Sequence, residues 1–262
     1  MTTLLRITPI EIVVVLFVLV VAYAAHGGAR TLGKLSEAII GLVVLFFICI
    51  AFLLLLSGSL EPQRMLPFLS KGIMPLIKTS FSSSLWVPYG ELIVFLVMFP
   101  QMGKKAAFRK AGMAAILSAG VILAFSDLLQ IWSMGMEYEK YSTFPLLDAA
   151  RLINISDFIN RMDALVALII IFGVFLKCAI FLYAGAKGIS VIFGKPSKTY
   201  IYPFALMIGA LSLLVSHNFA EHTEEGLHLV IQYLHIPFQL VIPLLTAIWI
   251  WILSKRRRGS SE

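Results

Sequence analysis

A run of polar residues interrupts an apolar stretch between residues 69 and 100. Serine hydroxyls can donate and accept hydrogen bonds, and a carboxyl such as that of Glu91 can hold a cation or exchange a proton. The proline and glycine between them disfavour a continuous helix. The pattern predicts a binding site for a small polar ligand at a break in the chain, formed by Ser82, Ser83, Ser84, Val87, Pro88, Tyr89, Gly90 and Glu91.

The composition places this site in a membrane. The chain has 262 residues, of which 60% are hydrophobic and 13% charged, and its mean hydropathy is +0.94. These values are typical of an all-α polytopic membrane protein. Unwound backbone is too costly against lipid, so the polar run favours two half-helices that line a cavity. The alternative is a proline-kinked helix whose serines hydrogen-bond to their own carbonyls.

Among the other charged residues of the predicted spans, Lys177, Asp163 and Asp127 are further candidates, because a charge in a membrane is a candidate functional group. Lys177 is predicted at a depth similar to that of Glu91, so the two could form an ion pair; Lys177 could instead extend towards the cytoplasm. Asp163 lies on the same helical stripe as Lys177, near the outer end, where a solvated role is favoured. Asp127 either lines the cavity or lies near the outer interface.

Apolar runs predict seven transmembrane helices in a single domain, with the third helix broken. A short helix is also predicted within residues 144–155, over the mouth of the bundle, because apolar residues recur there at helical spacing. Arg30 and Lys34 are predicted in a loop between the first two spans. The predicted spans are 9–25, 37–56, 69–100, 113–134, 158–193, 200–215 and 229–253.

The basic residues predict the orientation. Alternate loops and the C-terminal tail hold 13 of the 21 lysines and arginines. By the positive-inside rule these segments are cytoplasmic, which places the C-terminus inside and, with seven spans, the N-terminus of this chain outside. The net charge of +7 is therefore attributed to topology, and no nucleic-acid partner is predicted.

The sequence contains none of the motifs we would expect of an enzyme. There is no nucleophile triad, no phosphate-binding loop and no dinucleotide-binding turn, so neither catalysis nor a cofactor is predicted. Cys49 and Cys178 both lie in apolar runs and are interpreted as packing residues. A loop could hold a metal by its spacing, but an exposed acidic loop is favoured and no metal is predicted. That loop contains His217, Glu221, His222, Glu225 and His228.

Several motifs in order resemble the spore germination receptor B-subunit family, which is grouped with amino-acid permeases of the APC superfamily. Residues 87–95, VPYGELIVF, resemble its aromatic-Gly-Glu signature. Residues 144–153, FPLLDAARLI, and 156–165, SDFINRMDAL, resemble two later family segments. Phe175-Leu176-Lys177 and the Phe-Leu-Tyr-Ala that begins at Phe181 complete the pattern.

The resemblance implies a ten-helix, LeuT-like inverted-repeat fold, of which the seven spans would be helices 4–10, with the first three absent from this chain. It implies a germinant-sensing B subunit in the spore inner membrane that binds a small nutrient, an amino acid, at the broken third span. Its implied partners are A-type and C-type receptor subunits. The alternatives are a proton- or ion-coupled amino-acid permease and a truncated, non-functional paralogue.

Overall fold

The computed structural model describes residues 9–101, 105–154, 162–215 and 226–259. Every regular element in these ranges is helical, which confirms the all-α class. Irregular helix occupies parts of the third and last predicted spans. The α-helices are α1 (Ile10–His26), α2 (Gly28–Leu56), α3 (Ile73–Thr79), α4 (Lys105–Met134), α5 (Met136–Tyr141), α6 (Pro145–Arg151), α7 (Asp163–Phe193), α8 (Lys198–Val215) and α9 (Ile242–Gly259).

The long helices have the length and composition of membrane spans. Five helical stretches within the described ranges are long and apolar enough to cross a bilayer, a bent pair over 73–97 makes a sixth, and α1 is an apolar helix of 17 residues. Many large apolar side chains of these helices are exposed on the surface of the protein. A bundle that has lipid as its solvent shows this surface, so the chain is a polytopic membrane protein.

The chain divides into two compact units. The larger contains residues 1–70 and 98–207, and the smaller contains residues 71–97 and 208–262. The smaller unit therefore holds both the predicted broken span and the last span.

Alanines bring two helices of the larger unit close together. Ala22 and Ala25 of α1, and Ala179 and Ala186 of α7, have no exposed surface and belong to one apolar core. Small residues let helix backbones approach closely, which stabilises helix pairs in lipid. A second core joins α2, α4, α6 and α7 through Ile50, Leu54, Leu129, Ala150 and Val166.

The helix α2 begins at Gly28, well before the predicted start at residue 37. Gly28 has a φ of +81°, a left-handed conformation that favours glycine, so the chain turns directly after α1. The Thr31 hydroxyl donates to the Gly27 carbonyl at 2.9 Å across this turn. Arg30 and Lys34 therefore lie in the helix, and their prediction in a loop was wrong.

The short helix predicted within residues 144–155 is present as α6, with Pro145 in its first turn. Its buried residues Leu147, Ala149 and Ala150 anchor it to the protein. The start of the fifth predicted span, at residue 158, lies outside the described residues, as do four residues of the loop considered for a metal. Those four are His217, Glu221, His222 and Glu225.

Candidate ligand site

The third predicted span is bent where the sequence contains proline. The helix α3 continues into a π-helical segment, Ser80–Tyr89, and then into a 3-10 segment, Gly90–Val97. The backbone leaves helical geometry at Val87, where φ is −126° and ψ is 117°. A residue that precedes proline is driven to this extended conformation by the proline ring. The helical pieces on either side are bent by 45°.

The described serine hydroxyls of this span donate hydrogen bonds to backbone carbonyls of their own helix. Ser80 Oγ donates to the Leu76 carbonyl at 2.9 Å, and Ser82 Oγ donates to the Thr79 carbonyl at 3.2 Å. This back-bonding is the alternative considered for the polar run, and it occurs here together with the break. Ser82 is exposed, while the side chains of Ser83 and Ser84 lie outside the described part of the structure.

A shallow cavity of about 210 Å³ lies on the π-helical segment. It is lined by Ser80, Phe81, Leu85 and Tyr89. Phe81, Leu85 and Tyr89 follow one another at intervals of four residues, about one helical turn, so they share a side of the segment. Tyr89 is the predicted site residue that lines it. The cavity is smaller than typical drug-binding pockets, and its lining is mostly apolar.

Gly90 and Glu91 lie directly after the break. Glu91 is half-buried in the first turn of the 3-10 segment, where a negative charge is favoured by the helix dipole. Gly90 has ordinary right-handed helical backbone, with φ −63° and ψ −28°, so its conformation does not require glycine. A Cβ atom built at Gly90 would instead overlap the side-chain amide of Gln239.

The last span is also irregular, which the sequence analysis missed. Two π-helical segments, Gly226–His235 and Pro237–Val241, precede α9. The first packs against Ser80–Tyr89 and the second against Gly90–Val97, all within the smaller unit. The signal in the sequence was a proline with a histidine and a glutamine close by, inside an otherwise apolar run.

The other predicted charged residues lie in the larger unit. Lys177 is exposed, with Nζ 5.9 Å from the centre of the Phe181 ring. Asp127 is exposed on α4. The Asp163 carboxylate, in the first turn of α7, lies 3.9 Å from Arg151 Nε. Lys177 and Glu91 belong to different units, and an ion pair between them stays a prediction.

An open cavity of about 710 Å³ lies beside α5 and α6 in the larger unit. Asp148 in its lining already accepts two hydrogen bonds: Ser142 Oγ donates to it at 2.5 Å, and Arg151 donates to the same carboxylate at 3.0 Å. Tyr138 and Tyr141 supply its exposed aromatic surface, and Glu137 also lines it. Because Asp148 and Arg151 are paired with each other, these two charges are less available to a ligand.

Two carboxyls outside the spans have shifted pKa values. Burial, and next the charge of Asp127, raise the pKa of Glu139. The hydrogen bond and charge of Arg64 lower the pKa of Glu61, which receives two bonds of 2.7 and 3.1 Å from that guanidinium. Arg64 also donates to the Ser133 carbonyl, so it stabilises the end of α4.

The chain is similar to spore germination proteins. The profile described as "Spore germination protein" matches residues 1–222. Identity to "Spore germination protein KB" of Bacillus subtilis (strain 168) is 34% over 259 residues, which is 97% of this chain and 68% of that protein. Identity to "Spore germination protein YndE" of the same organism is 26% over 215 residues, 80% of this chain and 56% of the relative. No solved structure matches with significance.

Proposed function

Because the chain belongs to the spore germination protein family, we propose that it is a germinant-receptor B subunit that senses a small nutrient. The nutrient we propose is an amino acid, bound at the broken helix of the smaller unit. Family membership supports the receptor role. The observation that carries the position of the site is the non-helical backbone at Val87, inside an otherwise apolar span.

The break provides groups of both kinds that a zwitterion needs. Where helical geometry is lost, backbone N–H and C=O groups need other partners, and in a membrane a cavity and its ligand can supply them. The Glu91 carboxylate would attract the ammonium of an amino acid, while the start of the 3-10 segment favours negative charge. The cavity beside Tyr89 would receive a small side chain.

Binding of tritiated amino acids to the protein in lipid nanodiscs tests this proposal. The exchange Glu91→Gln should weaken binding by about 10- to 100-fold, since a hydrogen bond to a charged group contributes about 1.5–3 kcal/mol. Glu37→Gln, which removes an exposed carboxylate of α2, is the matched control and should bind normally. Unchanged binding by the Glu91 variant would place the ligand elsewhere.

Uptake into proteoliposomes separates a receptor from a permease. If the protein accumulates an amino acid without any other subunit, and if this uptake requires Glu91, the permease alternative is supported and the receptor proposal is wrong. We expect binding without accumulation, because the proposed role is sensing.

The proposed assembly places the protein in the spore inner membrane with A-type and C-type receptor subunits. The C-terminus would be cytoplasmic and the N-terminus of this chain outside, as the basic loops indicate. Co-purification of the tagged chain with co-expressed A-type and C-type subunits tests the partners. If the tagged chain purifies without either partner, although both partners are present in the membrane, the proposed assembly is wrong.

A further inference from the structure

Two polar side chains of the last span have buried atoms that make no hydrogen bond to the described residues. Among the residues that the structure describes, Gln239 Oε1 and His235 Nδ1 are shielded from solvent and have no hydrogen-bond partner. An unpaired buried polar atom lowers stability, and each such atom in a native protein calls for an explanation. In a membrane span lipid cannot supply the missing bond.

The Gln239 amide lies directly against the broken helix. A Cβ atom at Gly90 would overlap its oxygen, so the amide occupies the space that any larger residue at position 90 would fill. Gly90 adjoins Glu91, and the segments Gly90–Val97 and Pro237–Val241 pack together here. The unpaired oxygen is therefore at the proposed site and belongs to a different span.

His235 lies four residues before Gln239, about one helical turn away, so the two share a side of the last span. Pro237, between them, has no N–H to continue the regular helix. The surrounding helix is π-helical, and π-helical turns occur frequently at functional sites. Irregular backbone from two spans and two unpaired polar atoms thus occur together.

We propose that Gln239, with His235 beside it, is a ligand-binding residue of the site at the broken helix. The proposal rests on the proposed function, because it needs a ligand there. An amide oxygen only accepts hydrogen bonds, so the ligand must present a donor. Any N–H or O–H group would satisfy it, and the two donors that we test are the ammonium of an amino acid and the hydroxyl of a sugar. The neighbouring Glu91 carboxylate favours the ammonium.

Equilibrium binding of tritiated amino acids and of a tritiated hexose, each to the protein in nanodiscs, tests the proposal. The exchange Gln239→Leu keeps the bulk and removes the acceptor, and should weaken binding about tenfold or more. Gln239→Asn, which withdraws the amide by one methylene, should weaken it less. His235→Ala should also weaken it. The probe whose binding falls identifies the ammonium or the hydroxyl as the donor.

Matched controls separate ligand contact from packing. Gln130 of α4 is a buried glutamine that donates to Ser126 Oγ at 2.7 Å, and His26 has an unpartnered Nδ1 beside Tyr202 in the larger unit. Gln130→Leu and His26→Ala should leave binding unchanged. The ligand-free Gln239→Leu protein should melt at a temperature equal to or above that of the wild type, because an unsatisfied acceptor is gone.

The outcomes distinguish this inference from the proposed function. If Glu91→Gln loses binding while both Gln239 variants bind as the wild type does, the inference is wrong and the proposed site stands. If the wild-type protein binds neither probe, both fall. If Gln239→Leu and Gln130→Leu weaken binding equally, the effect is one of packing and the inference is wrong.

Discussion

Substituting Gly90 by alanine tests the contact between the two irregular spans. The backbone of Gly90, with φ −63° and ψ −28°, accepts alanine without strain. Any loss of stability must therefore come from the Gln239 amide, which a Cβ atom would overlap. Gly188 of α7 is the matched control, because no atom in the described part of the chain lies within 4 Å of a Cβ atom built there.

The expected magnitudes follow from opposing terms. Alanine in place of a helical glycine gains about 0.5–1 kcal/mol, which Gly188→Ala should realise in full. At Gly90 this gain is opposed by overpacking, about 1–3 kcal/mol. The lower end applies if the flexible amide rotates away at a rotamer cost of about 1 kcal/mol. Gly90→Ala should therefore destabilise the protein by roughly 0–2.5 kcal/mol.

Thermal unfolding in micelles, followed by a thiol-reactive dye, provides the assay. Cys49 and Cys178 are half-buried free thiols, so they react as the helices open. Adding Gln239→Ala to Gly90→Ala should remove the overlap, with a coupling energy of about 0.5–3 kcal/mol. The contact between the Gln239 amide and Gly90 is contradicted if Gly90→Ala raises the melting temperature as much as Gly188→Ala does. It is also contradicted if the stability changes of Gly90→Ala and Gln239→Ala add without coupling in the double variant.

Two other substitutions test the larger unit. Ala179→Leu should destabilise it by about 1–3 kcal/mol, because this alanine is fully buried between α1 and α7; Val174→Leu, at an exposed position of the same helix, should change stability by less than about 0.5 kcal/mol in the same melting assay. Glu139→Gln should raise the melting temperature at neutral pH. Burial and Asp127 raise the pKa of Glu139, so the folded state binds the proton more tightly, and stability falls as pH rises through the window above the ordinary glutamate pKa. The advantage of the variant should vanish below about pH 4, and an advantage that is constant with pH would contradict this origin.

The fold class was predictable from hydropathy, while the details of the broken span were not. Runs of apolar residues report helix length, because the lipid requires backbone hydrogen bonds to close within each span. They do not report whether a turn closes at four or five residues, so the π-helical segments of 226–241 went unnoticed. The rule for residues before proline would have placed the break at Val87. The serines would not have placed it, because the described serine hydroxyls bond to carbonyls of their own helix.

The partner of Gly90 could not be predicted from spacing. Gln239 belongs to another span, and the two meet only because of tertiary packing. The glycine also gave a misleading local signal, because its backbone is ordinary helix and its role is to leave space. Likewise, the contact of the Asp163 carboxylate with Arg151 joins α6 and α7. Spacing along the sequence does not predict that these two side chains meet.

The location of irregular helix bears on how a bound ligand could act on the fold. A ligand shifts a conformational equilibrium only by its difference in affinity between two states, and such coupling free energies are typically about 1–3 kcal/mol. A regular span in lipid resists change, because each broken backbone bond is costly. The π and 3-10 turns at Val87 and around Pro237 have already lost the regular bonding pattern, so rearranging them costs less. A ligand that contacted Gln239 and Glu91 at once would bind one arrangement of these two spans in preference to others. That preference is the physical requirement for sensing, and under the proposed function the irregular spans of the smaller unit would meet it more readily than the alanine-packed helices of the larger unit.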